Sequence, residues 1–286
     1  VDINAFGGQQ VDRARVEAWV RESDVLISNF RPASARRLGM EPQRLRALNP
    51  RLIYAQLYGF GADDARPAFD VVLQAEAGFM YMCGEPDGRP VKMPVALIDI
   101  LAGHQLKEGI LLALLQREQT GRGCLVETSL LESAVASLAN QASNWLMAGH
   151  IPQRMGSAHP NIAPYGDIFT CRGGDQLVLA VGTEPQFAAL CALLERTGLL
   201  EDPRFAANSA RLAHRRELAR ALQPAFEQRT REEWMEAFRQ KSIPAGSIRD
   251  MREVFELPPA GDMIWEESLP DGRTARGVRT VAFRMK

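Results

Sequence analysis

The chain has 286 residues, 46% of them hydrophobic and 24% charged, with 34 lysines and arginines against 35 aspartates and glutamates. That length supports a sizeable core in one large or two smaller domains. The formal charge of −1 gives no global field for nucleic acid or an anionic membrane, so an anionic ligand must be met by local arginines and helix N-termini.

In chain order, Val16, Trp19 and Val20 share one face and predict a helix over residues 12–22. Val25, Leu26 and Ile27 form a short apolar strand ending at Asn29-Phe30-Arg31-Pro32, where proline suits a turn or a first helical position. Residues 33–38 read as a short helix closed by Gly39. Residues 52–58 read as a second strand, ended by Gly59-Phe60-Gly61. This alternation predicts an α/β fold with a parallel, Rossmann-like sheet.

One helix is expected over residues 69–82, then a turn at Glu85-Pro86-Asp87-Gly88. A strong helix follows Asp99, with Ile100, Leu106, Ile110, Leu111 and Leu114 at helical spacing and Gly121 and Gly123 at its end. Residues 124–129 read as a strand and 130–147 as a single long helix. Prolines 152, 160 and 164 mark a loop-rich connection, and beyond it come a strand at 177–181 and helices at 185–196, 206–230 and 231–241. Residues 278–285 alternate like a strand. The expected organisation is a large Rossmann-like domain over 1–150, a smaller α+β domain over 151–256, and a segment over 257–286 that returns to the large domain. Both ends are abrupt, so the protein is expected to extend beyond them.

Four cysteines and four histidines lie at no metal-ligand spacing, so neither a metal nor a disulfide is expected. No apolar run approaches the ~18 residues of a membrane span, and no signal-peptide pattern is present. A cytoplasmic protein is expected. The acid that stands out is Asp99, in the otherwise apolar stretch Pro94-Val95-Ala96-Leu97-Ile98-Asp99 at a helix start. A carboxylate at the N-cap accepts the first amides and stabilises a helix by about 1 kcal/mol. The same donors keep it charged, free amides nearby can steady an oxyanion, and a carboxylate can attack a thioester. Arg36 and Arg37 follow the Asn29-Phe30-Arg31-Pro32 turn as candidate phosphate partners.

Several segments, in this order and spacing, resemble the family III CoA-transferases. They are residues 23–32 with the Asn29-Phe30-Arg31-Pro32 turn, Leu48-Asn49-Pro50-Arg51-Leu52-Ile53-Tyr54, Gly59-Phe60-Gly61, Phe69-Asp70 with Gln74, and Thr120-Gly121-Arg122-Gly123. His159-Pro160-Asn161-Ile162-Ala163-Pro164-Tyr165 and Ile243-Pro244-Ala245-Gly246 complete the set. The resemblance implies coenzyme A as the carrier and Asp99 as the catalytic residue. Asp99 would pass through an aspartyl anhydride and an aspartyl-CoA thioester while CoA moves from an acyl-CoA to a free carboxylic acid. It implies CoA contacts at Asn29, Phe30, Arg37 and Arg66, and an interlocked homodimer. It also implies an opening strand and glycine loop before Val1, and a lysine where this chain has Asn4. The related α-methylacyl-CoA racemases carry a histidine where this chain has Phe69, which argues for transfer over racemisation or epimerisation. A non-catalytic acyl-CoA-binding paralogue is the alternative from another functional class.

Overall fold

The structure, a computed structural model, describes residues 13–285. Asn4 and the expected helix position at residue 12 lie outside the described residues. Two compact units meet at the Gly156–Ser157 bond.

The first unit runs α1 (Arg13–Glu22), β1 (Val25–Ser28), α2 (Pro32–Leu38), α3 (Pro42–Leu48), β2 (Ile53–Tyr58), α4 (Asp70–Glu76), α5 (Phe79–Met82), α6 (Leu97–Thr120), β3 (Leu125–Ser129), α7 (Leu130–Ala136) and α8 (Asn140–Ala148). Its strands are parallel in the order β1-β2-β3, with Val25 opposite Ile53 and Tyr54 opposite Leu125. The central strand is buried from Ile53 to Gln56, as parallel sheets covered by crossover helices require. Val16, Val20, Met40, Leu45 and Tyr54 form one apolar cluster. Phe60, Leu73, Ile98, Ala102, Leu130 and Ala134 form another, around the first turns of α6 and α7.

Helix α6 runs against the strands. In its last turn Arg117 is almost fully buried, pairs with Asp24 at 3.0 Å and donates to the Arg51 carbonyl at 3.2 Å, just before β1 and β2. About 1.5 Å per residue then carries its N-terminus toward the strands' C-terminal edge. Ile98 accordingly packs with Phe60 and Leu130, which follow β2 and β3.

The second unit holds β4 (Tyr165–Thr170), β5 (Gln176–Ala180), α9 (Glu184–Leu193), α10 (Asn208–Ala213), α11 (Arg215–Phe226), α12 (Arg231–Gln240), β6 (Ala245–Ser247), α13 (Met251–Phe255), α14 (Pro258–Gly261), β7 (Ile264–Ser268) and β8 (Thr274–Val278). β4, β5 and β6 form an antiparallel sheet, and β7 and β8 a separate hairpin. The core centres on Phe169, Phe187, Phe226, Trp234 and Phe238. The Phe169 and Phe226 rings stack at 4.3 Å.

Several expected helices are broken. The helix expected over 69–82 splits into α4 and α5, with Gly78 left-handed at φ 83°. The long helix expected over 130–147 splits into α7 and α8 at Ala139, φ 49°. The one expected over 206–230 splits at His214. Apolar spacing continues across each break, because one to three non-helical residues redirect the chain without erasing the sequence period. The alternating tail over 278–285 is not a strand beyond Val278, where pairing with β7 ends.

Thr120-Gly121-Arg122-Gly123 closes α6. Gly121 is left-handed at φ 71° and its N–H returns to the Arg117 carbonyl at 2.8 Å. Gly123 lies against β2, and a Cβ there would fall 2.1 Å from the Leu52 carbonyl oxygen. Gly123→Ala should therefore lower stability by about 1–3 kcal/mol, read as a fall in the urea midpoint. An unchanged midpoint would show that the turn does not pack as described.

Candidate active site

Asp99 lies in the first turn of α6, not at its cap. The N-cap is Ala96, which makes no side-chain bond, so Asp99 is the third helical residue. The expected cap role falls to Asp70, the first residue of α4. Its Oδ2 accepts the Ile98 N–H at 2.7 Å and the Asp99 N–H at 3.4 Å. The Leu97 N–H goes to the Val95 carbonyl at 2.8 Å, and the Ile100 N–H makes the first helical bond, to Ala96, at 3.1 Å. The first-turn amides expected to be open for an oxyanion are thus engaged, two of them by a carboxylate from another helix.

Asp70 is held in turn by Gln74 one helical turn on, whose Nε2 donates to Asp70 Oδ1. Gln74 is fully buried. Its Oε1 accepts the Met93 N–H at 2.8 Å, and its Nε2 also points to the Val95 carbonyl at 3.4 Å. One pair of side chains on α4 therefore fixes the approach to α6 at Met93, Val95 and Ile98.

The Asp99 side chain is exposed. Among the described residues its carboxylate makes no hydrogen bond and no ion pair. Partial desolvation, and then the negative charge of Asp70, push its pKa above the usual carboxylate value. Of its neighbours in sequence, Val95 and Ile100 are exposed apolar residues. The nucleophile candidate is an unbonded, exposed carboxylate.

Asn29 and Phe30 follow β1 and so lie at the same C-terminal sheet edge, where parallel sheets bind ligands. The turn is anchored from β2. Buried Gln56 donates to the Phe30 carbonyl at 3.2 Å, and the Phe30 N–H reaches Ser28 Oγ at 3.2 Å. Asn29 is exposed, while the half-buried Phe30 ring packs on the Val16–Tyr54 cluster. Arg66 stacks over Phe60 at 3.7 Å and is already paired, with Asp64 at 2.8 Å and Glu76 at 3.6 Å. Arg36 and Arg37 are exposed in the last turn of α2, and among the described residues neither guanidinium has an ion pair. The Arg37 carbonyl accepts from the Arg13 guanidinium at 2.9 Å, which brings another cation beside it.

The sequence reading gave no role to Asp70, Gln74 or Gln56. Their signals were an acid and an amide four residues apart at a helix start and an amide inside an apolar strand. His104 contacts only Lys107, at 3.1 Å, among the described residues. A separate cavity of about 360 Å³ is lined by Tyr81, Met82, Val135, Leu138, Trp145 and Leu146 among others, with no carboxylate, histidine or thiol in its wall. Among the described residues no group of three or more metal-ligating side chains converges, and no helix is long and apolar enough to cross a membrane.

The family model described as CoA-transferase family III matches residues 8–286. The chain is 37% identical over 272 residues to an acyl-CoA transferase of Fusarium pseudograminearum, covering 93% of this chain and 59% of that protein. It is also 37% identical over 274 residues to a succinate–glutarate CoA-transferase of Agrobacterium fabrum, covering 93% of this chain and 68% of the relative. The chain thus spans roughly three fifths to two thirds of the length of these curated relatives. The crystal structure of a CAIB/BAIF family protein from Brucella suis superposes with a TM-score of 0.83 at 36% identity, covering 96% of this chain and 71% of that one. With the family model matched across nearly all of its length, the chain belongs to CoA-transferase family III.

Proposed function

We propose that the protein moves CoA between an acyl-CoA and a free carboxylic acid, with Asp99 as the nucleophile. The observation that carries this reading is the unbonded Asp99 carboxylate at the C-terminal edge of a parallel sheet. Asp99 attacks the donor thioester carbonyl, and the C–S bond breaks to release CoA thiolate. The thiolate attacks the aspartyl carbonyl of the resulting anhydride and expels the donor carboxylate. The acceptor carboxylate attacks the aspartyl-CoA thioester, releasing thiolate again. The thiolate then takes the acceptor acyl carbon and returns Asp99 as a carboxylate. One thioester is exchanged for another throughout, so no energy-rich co-reactant is consumed. Holding each pair of reactants together contributes about 7 kcal/mol or more toward these barriers.

Coenzyme A enters as a substrate. Asn29 and Phe30 meet its adenosine end, Arg37 its phosphate, and Arg66 a further anionic group once Asp64 shares it. The name of the Agrobacterium fabrum relative points to dicarboxylic acids as the substrate class, succinate and glutarate among them. The chain works as a homodimer, which accounts for the exposure of Leu111, Leu112 and Leu115 on α6 and Trp145 and Leu146 on α8. Phe69, the residue before Asp70, carries no proton, which leaves racemisation without the second base it needs.

Asp99→Ala and Asp99→Asn should each lower transfer by about 10³-fold or more. Wild-type protein incubated with acyl-CoA and hydroxylamine should acquire a hydroxamate at Asp99. Full activity in either variant would remove Asp99 from the chemistry. Only the ionised carboxylate attacks, and its raised pKa keeps the proton to higher pH. The acid limb of kcat/KM should therefore lie above the ordinary aspartate pKa of about 3.9, with activity lost as pH falls through it. Arg37→Ala should raise the KM for acyl-CoA about tenfold with kcat within about twofold. An unchanged KM would place the CoA phosphates elsewhere.

A further inference from the structure

Residues at the third position of a helix commonly fold back onto its first amides. Among the described residues this happens three times. Gln186 in α9, Glu233 in α12 and Glu253 in α13 each accept the backbone N–H of their own N-cap residue. Asp99 holds the same position in α6 and makes no such bond. The amides that an N-cap side chain would take, those of Ile98 and Asp99, go to Asp70, because the N-cap Ala96 has no polar side chain. Asp70 is locked by a fully buried glutamine that also holds the Met93 N–H.

We infer that Asp70, anchored by Gln74, is a positioning residue that caps α6 in place of its apolar N-cap residue and so sets the first turn with the Asp99 carboxylate unbonded and exposed. The inference rests on the reading of Asp99 as nucleophile. A carboxylate bound to first-turn amides is a weaker nucleophile, because those bonds stabilise its charge in the ground state. Asp70 takes that stabilisation away from Asp99, and its own negative charge acts on Asp99 in the same direction. The other acids on the elements around α6 are engaged elsewhere. Glu76 of α4 pairs with Arg66, Glu132 of α7 with the Ser129 hydroxyl, and Glu127 of β3 with the Tyr58 hydroxyl. On α6 itself, Lys107 contacts His104. In the preceding loop, Lys92 donates to the Met93 carbonyl at 3.2 Å.

The test uses the full protein and its acyl-CoA donor. Asp70→Asn keeps the shape but removes the charge and one acceptor. It should lower kcat by about tenfold or more with the KM for acyl-CoA unchanged within about twofold. It should also slow hydroxamate formation at Asp99 and move the acid limb of the rate profile to lower pH. Neither KM nor the position of the limb depends on the fraction of molecules folded, so a merely structural role would move neither. Should that variant not fold, Gln74→Met frees Asp70 while sparing its charge, and hydroxamate formation at Asp99 per folded molecule should slow. Wild-type trapping at Asp99 combined with wild-type kcat and an unmoved limb in Asp70→Asn overturns this inference alone. No trapping at Asp99 in the wild type overturns the nucleophile reading and this inference with it.

Discussion

The carboxylate of Asp70 at the N-terminus of α6 is the contact on which the site depends. A helix start presents unpaired amides and the positive end of the helix dipole, so an anion settles there unless another already has. In this chain the place is taken by an acid from α4, which gives Ile98 its partner at 2.7 Å. Two acids thus share one helix start and have different fates, one bonded and one free. Partial desolvation raises the pKa of the free one, and the nearby charge of Asp70 acts in the same direction.

The rest of the first unit supports that arrangement. Arg117 and Gly123 fix the far end of α6 against the heads of β1 and β2. Ile98, in the same turn as Asp99, is fully buried with Phe60 and Leu130. The helix is therefore held at both ends, and its first turn is brought to the sheet edge where the Asn29-Phe30 turn also emerges. That turn owes its position to Gln56, a buried amide whose donors go to the Phe30 and Leu57 carbonyls. Asp70, Gln74 and Gln56 are hydrogen-bonded anchors beside a carboxylate that is itself unbonded, the pattern expected where a group is kept for chemistry.

Much of this was legible in the sequence. β1, β2 and β3 were marked by β-branched and apolar runs, and the ends of α2 and α6 by Gly39 and Gly121. The breaks after Glu76 and Ala136 were not, because apolar spacing runs through them and only the backbone shows Gly78 and Ala139 to be left-handed. Asp99 is the third residue of α6 and not its cap. An acid just ahead of a helix looks like its cap, and a cap supplied from 29 residues earlier leaves no local trace. Nor does sequence show that Arg66 is already paired with Asp64 and Glu76. Long-range polar contacts of this kind carry no periodicity, and the geometry of the site consists largely of them.

The central claim, that CoA passes through a covalent bond to Asp99, has a direct isotopic signature. When the acceptor carboxylate attacks the aspartyl thioester, one of its oxygens becomes the bridge of the anhydride. Thiolate attack on the acceptor acyl carbon leaves that oxygen on the aspartate. Turnover with an acceptor acid labelled in both carboxylate oxygens by the heavy isotope should place label in the Asp99 side chain, seen by mass analysis of the peptide that carries it. Formation of the labelled acid's CoA thioester with no label at Asp99 would contradict the account.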